Sequence, residues 1–171
     1  MRERLGVMCR AALAAAVISV LSPWSLSLAG LPITLSLFAV LLISELFPLK
    51  ISLPAVLVYV ALGAVGVPVF AGFVGGFQVL VGPTGGFIMA YPLMVLVISK
   101  FGGTMIKNCI FGSVATILCY IIGILWYFFT TRDRFSLAIL WYVVSCSAFD
   151  LIKIISAATL AEAIRPRLKK L

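Results

Sequence analysis

Polar residues are scarce along this chain, and they gather in clusters that cut an otherwise apolar sequence into six blocks. The blocks cover residues 11–21, 32–47, 52–67, 86–99, 106–129 and 135–163. A helix needs about 20 apolar residues to cross the hydrocarbon core of a bilayer. Barrel strands would instead appear as short segments of alternating polarity, and the runs here are long and continuous. The pattern predicts an all-α integral membrane protein, one domain over residues 1–171 with six transmembrane helices. The second block is short and opens on Pro32, a residue suited to a first helical turn.

The polar clusters predict orientation. With the N-terminus cytoplasmic, six spans place Arg2, Arg4, Arg10, Lys50, Lys100, Lys107, Arg165, Arg167, Lys169 and Lys170 inside. Only Arg132 and Arg134 then lie outside, with Asp133 between them. This excess of inner Lys and Arg predicts that both termini are cytoplasmic. It also puts the loops at residues 22–31, 82–86 and 130–134 on the external side. Glu45, at the end of the second block, is expected to reach headgroups or Lys50. A second reading of the N-terminus is a cleavable signal peptide: three arginines, an apolar run and the small-x-small site Ser27-Leu28-Ala29. Against it, the equally apolar body that follows needs a first span.

Composition narrows the function classes. The chain is 64% hydrophobic and 11% charged, against roughly a quarter charged in a soluble domain. The formal net charge of +8 comes from residues that flank apolar runs, so it reads as topology and headgroup binding, not as a nucleic-acid surface. Histidine is absent, which removes the commonest metal ligand and neutral-pH base. Cys9, Cys109, Cys119 and Cys146 show no CxxC spacing and read as small core hydrophobes, with no metal site. No GxxxxGK[ST] loop occurs, so any ATP-driven work needs a partner.

Three features carry candidate chemistry. Residues 68–92 hold the densest glycine in the chain, and Gly82-Pro83-Thr84-Gly85-Gly86 reads as a fixed turn. Irregular backbone at membrane depth is tolerated where it is buried or lines a cavity, so this turn is either a binding-site wall or an ordinary external loop. Asp150 and Lys153 interrupt the last apolar block three residues apart, on one helix face. At roughly 2.5–3.5 kcal/mol each on insertion scales, they must face protein or a polar cavity. They form either a private ion pair or a ligand site with one acceptor and one donor. Finally, Ala11/Ala15 and Ala12/Ala16 are small-xxx-small pairs in the first block, suited to close helix approach, by a partner or by this chain's own helices.

Pro32-Ile-Thr-Leu, Leu62-Gly-Ala-Val-Gly-Val-Pro-Val-Phe-Ala-Gly, Gly75-Gly-Phe, Gly82-Pro-Thr-Gly-Gly-Phe and Asp150-x-x-Lys153 together resemble BioY, the biotin-binding S-components of energy-coupling factor (ECF) transporters. The resemblance spans Ala11 to Arg165. It implies a six-helix S-component bundle in the cell membrane that captures biotin from the external side. It also implies docking of the small-residue face of helix one onto a transmembrane T-component with two ATPase subunits. Asp150 and Lys153 would contact biotin, and Gly82, Pro83, Thr84, Gly85 and Gly86 would support the pocket. Some members add a polar or basic side chain in this stretch. Here nothing between Lys50 and Lys100 is charged, leaving Gln78 and Thr84 as polar candidates. Phe70, Phe73, Phe77 and Phe87 would supply aromatic walls for the apolar bicycle and thioether. Biotin is the ligand in this reading and no cofactor is expected. Two other classes stand beside it: a membrane enzyme using Asp150 and Lys153 as an acid–base pair, and a structural membrane subunit.

Overall fold

The computed structural model describes residues 2–28, 31–131 and 137–168. In chain order these form α1 (Arg2–Leu21), β1 (Ser25–Leu28), β2 (Leu31–Thr34), α2 (Ser36–Leu46), α3 (Leu49–Val65), α4 (Phe77–Val81), α5 (Gly85–Phe101), α6 (Met105–Thr131) and α7 (Leu137–Leu168). Six long helices carry the bundle, with the single-turn α4 and a two-stranded hairpin added at its connections. The helix pairs α1–α3, α2–α7 and α5–α6 share the most extensive contacts, and α2 and α3 also pack on α5.

Small residues let these helices approach. Ala14 and Ala15 of α1, Ala39 of α2, Ala55 of α3, Ala90 of α5, Ala115 of α6 and Ala157 and Ala161 of α7 are all buried at helix contacts. Around them pack Ile18, Val40, Leu41, Val56, Met94, Val95 and Ile98. In lipid, close van der Waals packing replaces the hydrophobic drive, and small residues make it available. The outward faces remain apolar: Leu13, Val20, Ile106, Leu125 and Phe129 are all exposed, as a lipid-facing surface requires.

Several expectations need correction. The first helix begins at Arg2, not at residue 11, because backbone helicity continues through the arginine-bearing turns that hydropathy leaves out. The second helix begins at Ser36, and Pro32 lies in β2, opposite Ser27 in an antiparallel hairpin. A proline withholds one ladder N–H, which a two-stranded ribbon tolerates because each strand has an open edge. The third helix starts at Leu49, where Pro48 sits in extended conformation at the N-cap and supplies its carbonyl to Ile51 and Ser52. It ends at Gly66, whose φ of 113° closes the helix in the left-handed region.

Only α1 and α6, among the described residues, are at least 18 residues long and apolar enough to cross a membrane by that measure; α2, α3 and α5 are shorter apolar helices of 11, 17 and 17 residues. The loop at residues 132–134 lies outside the described residues, as do Ala29, Gly30 and the last three positions.

Glu45 does not reach headgroups. It is 5% exposed, enclosed where the C-terminal end of α2 meets α6 and α7. Arg165 of α7 donates to the Glu45 carbonyl (2.6 Å) and to the Gly103 carbonyl, binding three elements together at this end. Nearby, Ser52 and Ser99 share a hydrogen bond of 3.1 Å between α3 and α5. Of the cysteines, Cys119 is a core residue as expected, Cys109 is half-buried and Cys9 is exposed; the side chain of Cys146 lies outside the description.

Candidate binding cavity

Asp150 and Lys153 sit on the inward face of α7. Asp150 is buried, and its Oδ1 accepts from Lys153 Nζ at 2.7 Å. Two further partners complete the cluster. Tyr120 of α6 donates its hydroxyl to Asp150 Oδ2, and Lys153 donates a second bond to the Thr34 carbonyl at 2.9 Å. The ion pair therefore ties α7 to α6 on one side and to the hairpin on the other. It satisfies the condition for burying charge, in which each group is paired and hydrogen-bonded.

The cluster faces a cavity of about 120 Å³. Its polar wall includes Thr34, Ser36, Tyr91, Tyr120, Asp150 and Lys153, and its apolar wall includes Leu37, Phe70, Val74, Val79, Phe87 and Ile88. The polar wall is continuous beyond the ion pair. Ser36 Oγ donates to Thr34 Oγ1 at 2.5 Å and shares a hydrogen bond of 2.8 Å with the Tyr91 hydroxyl. Phe70 stands edge-on to Tyr59, with centroids 5.7 Å apart, which fixes that end of the apolar wall.

The expected site residues divide. Asp150, Lys153, Thr84, Phe70 and Phe87 line the cavity. Gly82, Pro83, Gly85 and Gly86 do not; they shape it from behind. The Gly82 carbonyl accepts from Trp126 Nε1 at 3.0 Å, which pins the turn to α6. A Cβ on Gly86 would strike Trp126, and one on Gly85 would strike the backbone of Leu80 in α4. In the mirror arrangement, Gly123 of α6 leaves room for the ring of Phe87. These glycines allow α4, α5 and α6 to close on one another, and that closure presents Thr84 and Phe87 to the cavity.

Phe77, Gln78 and Phe73 turn outward. Phe77 and Phe73 are exposed, Phe73 resting edge-on against Trp24, while the exposed Gln78 folds back over Gly76. The five-residue α4 is the reason: a single turn presents one narrow stripe inward, and Val79 occupies it.

Ser36, Tyr59, Tyr91 and Tyr120 line the cavity without any sequence expectation attached to them, and Cys119, expected only as a core residue, joins them. Tyr120 and Tyr91 are isolated hydroxyl-bearing residues within apolar helices. That signal resembles the one that marked Asp150, only weaker.

The alanine face also divides. Ala11 and Ala15 point inward and pack within the bundle, whereas Ala12 and Ala16 are exposed. For the first pair, internal packing is the correct reading.

Residues 1–170 match the BioY family. The chain belongs to that family. It is 39% identical over 132 residues to the biotin transporter BioY2 of Lactococcus lactis subsp. cremoris, covering 75% of this chain and 72% of the relative. It is 33% identical over 156 residues to the probable biotin transporter BioY of Pyrococcus horikoshii, covering 90% and 93% of the two chains. The biotin transporter BioY of Thermotoga maritima is 36% identical over 159 residues, 89% of each. Among solved structures, the S-component for biotin from an ECF-type ABC transporter superposes with a TM-score of 0.84 at 21% identity. That likeness covers 99% of this chain and 94% of the other, and it establishes the shared fold of the membrane bundle.

Proposed function

We propose that this BioY-family chain is the substrate-binding membrane subunit of a biotin uptake system, a transport subunit and not an enzyme. The observation that carries the proposal is the cavity: a cluster of buried Asp150 with half-buried Lys153 and Tyr120 faces an apolar wall of Phe70, Phe87 and Ile88. Biotin needs both sides, because its ureido group presents two N–H donors and a carbonyl while its bicycle and thioether are apolar. The acid–base enzyme reading has less support, since both Asp150 oxygens are engaged by partners that hold the pair in place. A purified, folded preparation should retain labelled biotin, and unlabelled biotin should displace it.

Biotin would then be released to the cell through an energising module made of a T-component and two ATPase subunits, because the chain carries no ATP-binding loop. The exposed Ala12 and Ala16 on α1, flanked by Leu13 and Val17, are the surface that suits close approach by a partner helix. We place the protein in the cell membrane as a six-span chain with both termini cytoplasmic, from the distribution of Lys and Arg. In a background free of native cysteines, a cysteine at position 133 should react with an impermeant reagent in intact cells and one at position 170 should not. Reaction at 170 would reverse the orientation.

A further inference from the structure

A second cavity lies at the other end of the bundle, where α2, α5, α6 and α7 meet. The topology above places this end at the cytoplasm. The cavity measures about 200 Å³, and its lining includes Glu45, Ser99, Asn108 and Arg165. We propose that Glu45 is a proton-binding site at this inner mouth. Its carboxyl is a neutral acid while the mouth is closed and gives its proton to water as the mouth opens.

Three observations carry it. First, the carboxyl is buried and unpartnered. Glu45 is 5% exposed, and neither Oε1 nor Oε2 accepts a hydrogen bond among the described residues. Asn108 stands beside it without closing such a bond, while its own Oδ1 accepts from the Gly103 N–H at 2.8 Å. An isolated buried carboxylate is very costly, and taking up a proton removes the charge.

Second, the surroundings of the carboxyl are apolar. Oε1 lies 3.9 Å from the point where a Cβ on Gly112 of α6 would stand, and Leu41 of α2 and Ile154 of α7 meet at the same point. A metal cation needs several oxygen ligands at once. A proton makes no such demand.

Third, the neighbouring cation is engaged elsewhere. Arg165 of α7 donates to the backbone carbonyls of Glu45 (2.6 Å) and Gly103, and it forms no ion pair with the Glu45 carboxyl among the described residues. Charged groups on the adjoining helices at this end are Arg10 of α1, Lys50 of α3, Lys100 of α5, Lys107 of α6, and Glu162 and Arg167 of α7; all are exposed. The half-buried Cys109 thiol of α6 also faces the carboxyl. Once ionised, Glu45 would draw in water or pull Arg165 off the two carbonyls that tie α2, the α5–α6 turn and α7 together. Proton binding therefore keeps this corner closed, and release of the proton to water loosens it.

The inference stands apart from the biotin reading, and its test needs no biotin. Infrared spectra of the purified protein in lipid discs, recorded at neutral pH for wild type and Glu45→Gln, read an un-ionised carboxyl directly. Wild type should show the carbonyl band of a buried carboxylic acid. That band should be lost in Glu45→Gln and should fade in wild type as the medium is made alkaline. Identical spectra of the two proteins at neutral pH would mean an ionised, hydrated carboxylate and overturn the proposal. Should Glu45→Gln fail to fold, wild type carrying isotope-labelled glutamate decides. The band should then shift with the label, since exposed glutamates such as Glu162 are ionised at this pH. A band that is absent, or present but unshifted, would overturn the proposal.

Discussion

Asp150→Asn is expected to weaken biotin binding by about 10- to 150-fold, and Lys153→Met by a comparable factor. The size follows from charge-assisted hydrogen bonds, worth roughly 1.5–3 kcal/mol each. Asp150 already accepts from Lys153 and Tyr120, but a carboxylate has about four lone-pair sites, so it can still accept a ligand N–H. The asparagine keeps the shape and loses the charge, and its amide group meets the Tyr120 hydroxyl and the Lys153 ammonium with weaker or wrongly directed partners. Lys153→Met also cuts the bond to the Thr34 carbonyl, which anchors the hairpin over the cavity. A second account competes with ligand contact. The pair could hold α6, α7 and the hairpin together and leave recognition to other residues. Each single variant would then strand a buried charge and lower stability, while Asp150→Asn/Lys153→Met would restore both folding and binding. Biotin affinity of the folded double variant separates the two. We expect it to stay impaired; near-native affinity would assign the pair to structure.

Replacing Ala16 with Leu is expected to abolish most transport by the assembled complex while leaving biotin binding by the isolated subunit intact. Ala16 is exposed on α1, one turn from the exposed Ala12, and a leucine there removes the flat strip on which another helix backbone can lie. Ala15→Leu has a different outcome. Ala15 is 2% exposed and packed in the core, so the larger side chain overpacks the bundle at a typical cost of about 1–3 kcal/mol. Its expected signature is a lowered melting temperature in the isolated subunit. Transport and melting measurements on both variants check this. If Ala16→Leu expresses normally and transports at the wild-type rate, that strip faces lipid only.

Neighbouring alanines in one motif thus face opposite ways, and this shows where the sequence stopped being informative. The motif specifies that two helices can come close. Which pair faces the bundle depends on the rotation of α1 about its axis, which only packing against α3 and α2 determines. The six apolar blocks and the Asp150-x-x-Lys153 pair were legible because their cause is local: apolar continuity marks a span, and a charge inside one must be compensated. Pro32 was misplaced because hydropathy cannot distinguish an apolar strand from the first turn of an apolar helix. Leu31–Thr34 is as apolar as the helix that follows it, and it pairs with Ser25–Leu28 across a turn. The glycine turn was recognised as fixed, but its glycines turned out to serve helix contact. Their reason lies in Trp126 and Leu80, the first of them some 40 residues away. Tyr91, Ser36 and Tyr120 join the cavity from α5, α2 and α6, and no spacing along the chain announces such a meeting.

The central claim, that this cavity binds biotin, is tested most directly by equilibrium binding of labelled biotin to the purified, monodisperse protein in detergent or lipid discs. Saturable binding approaching one biotin per chain is predicted, displaced by unlabelled biotin and weakened in Asp150→Asn. Folded protein that retains no biotin would contradict it.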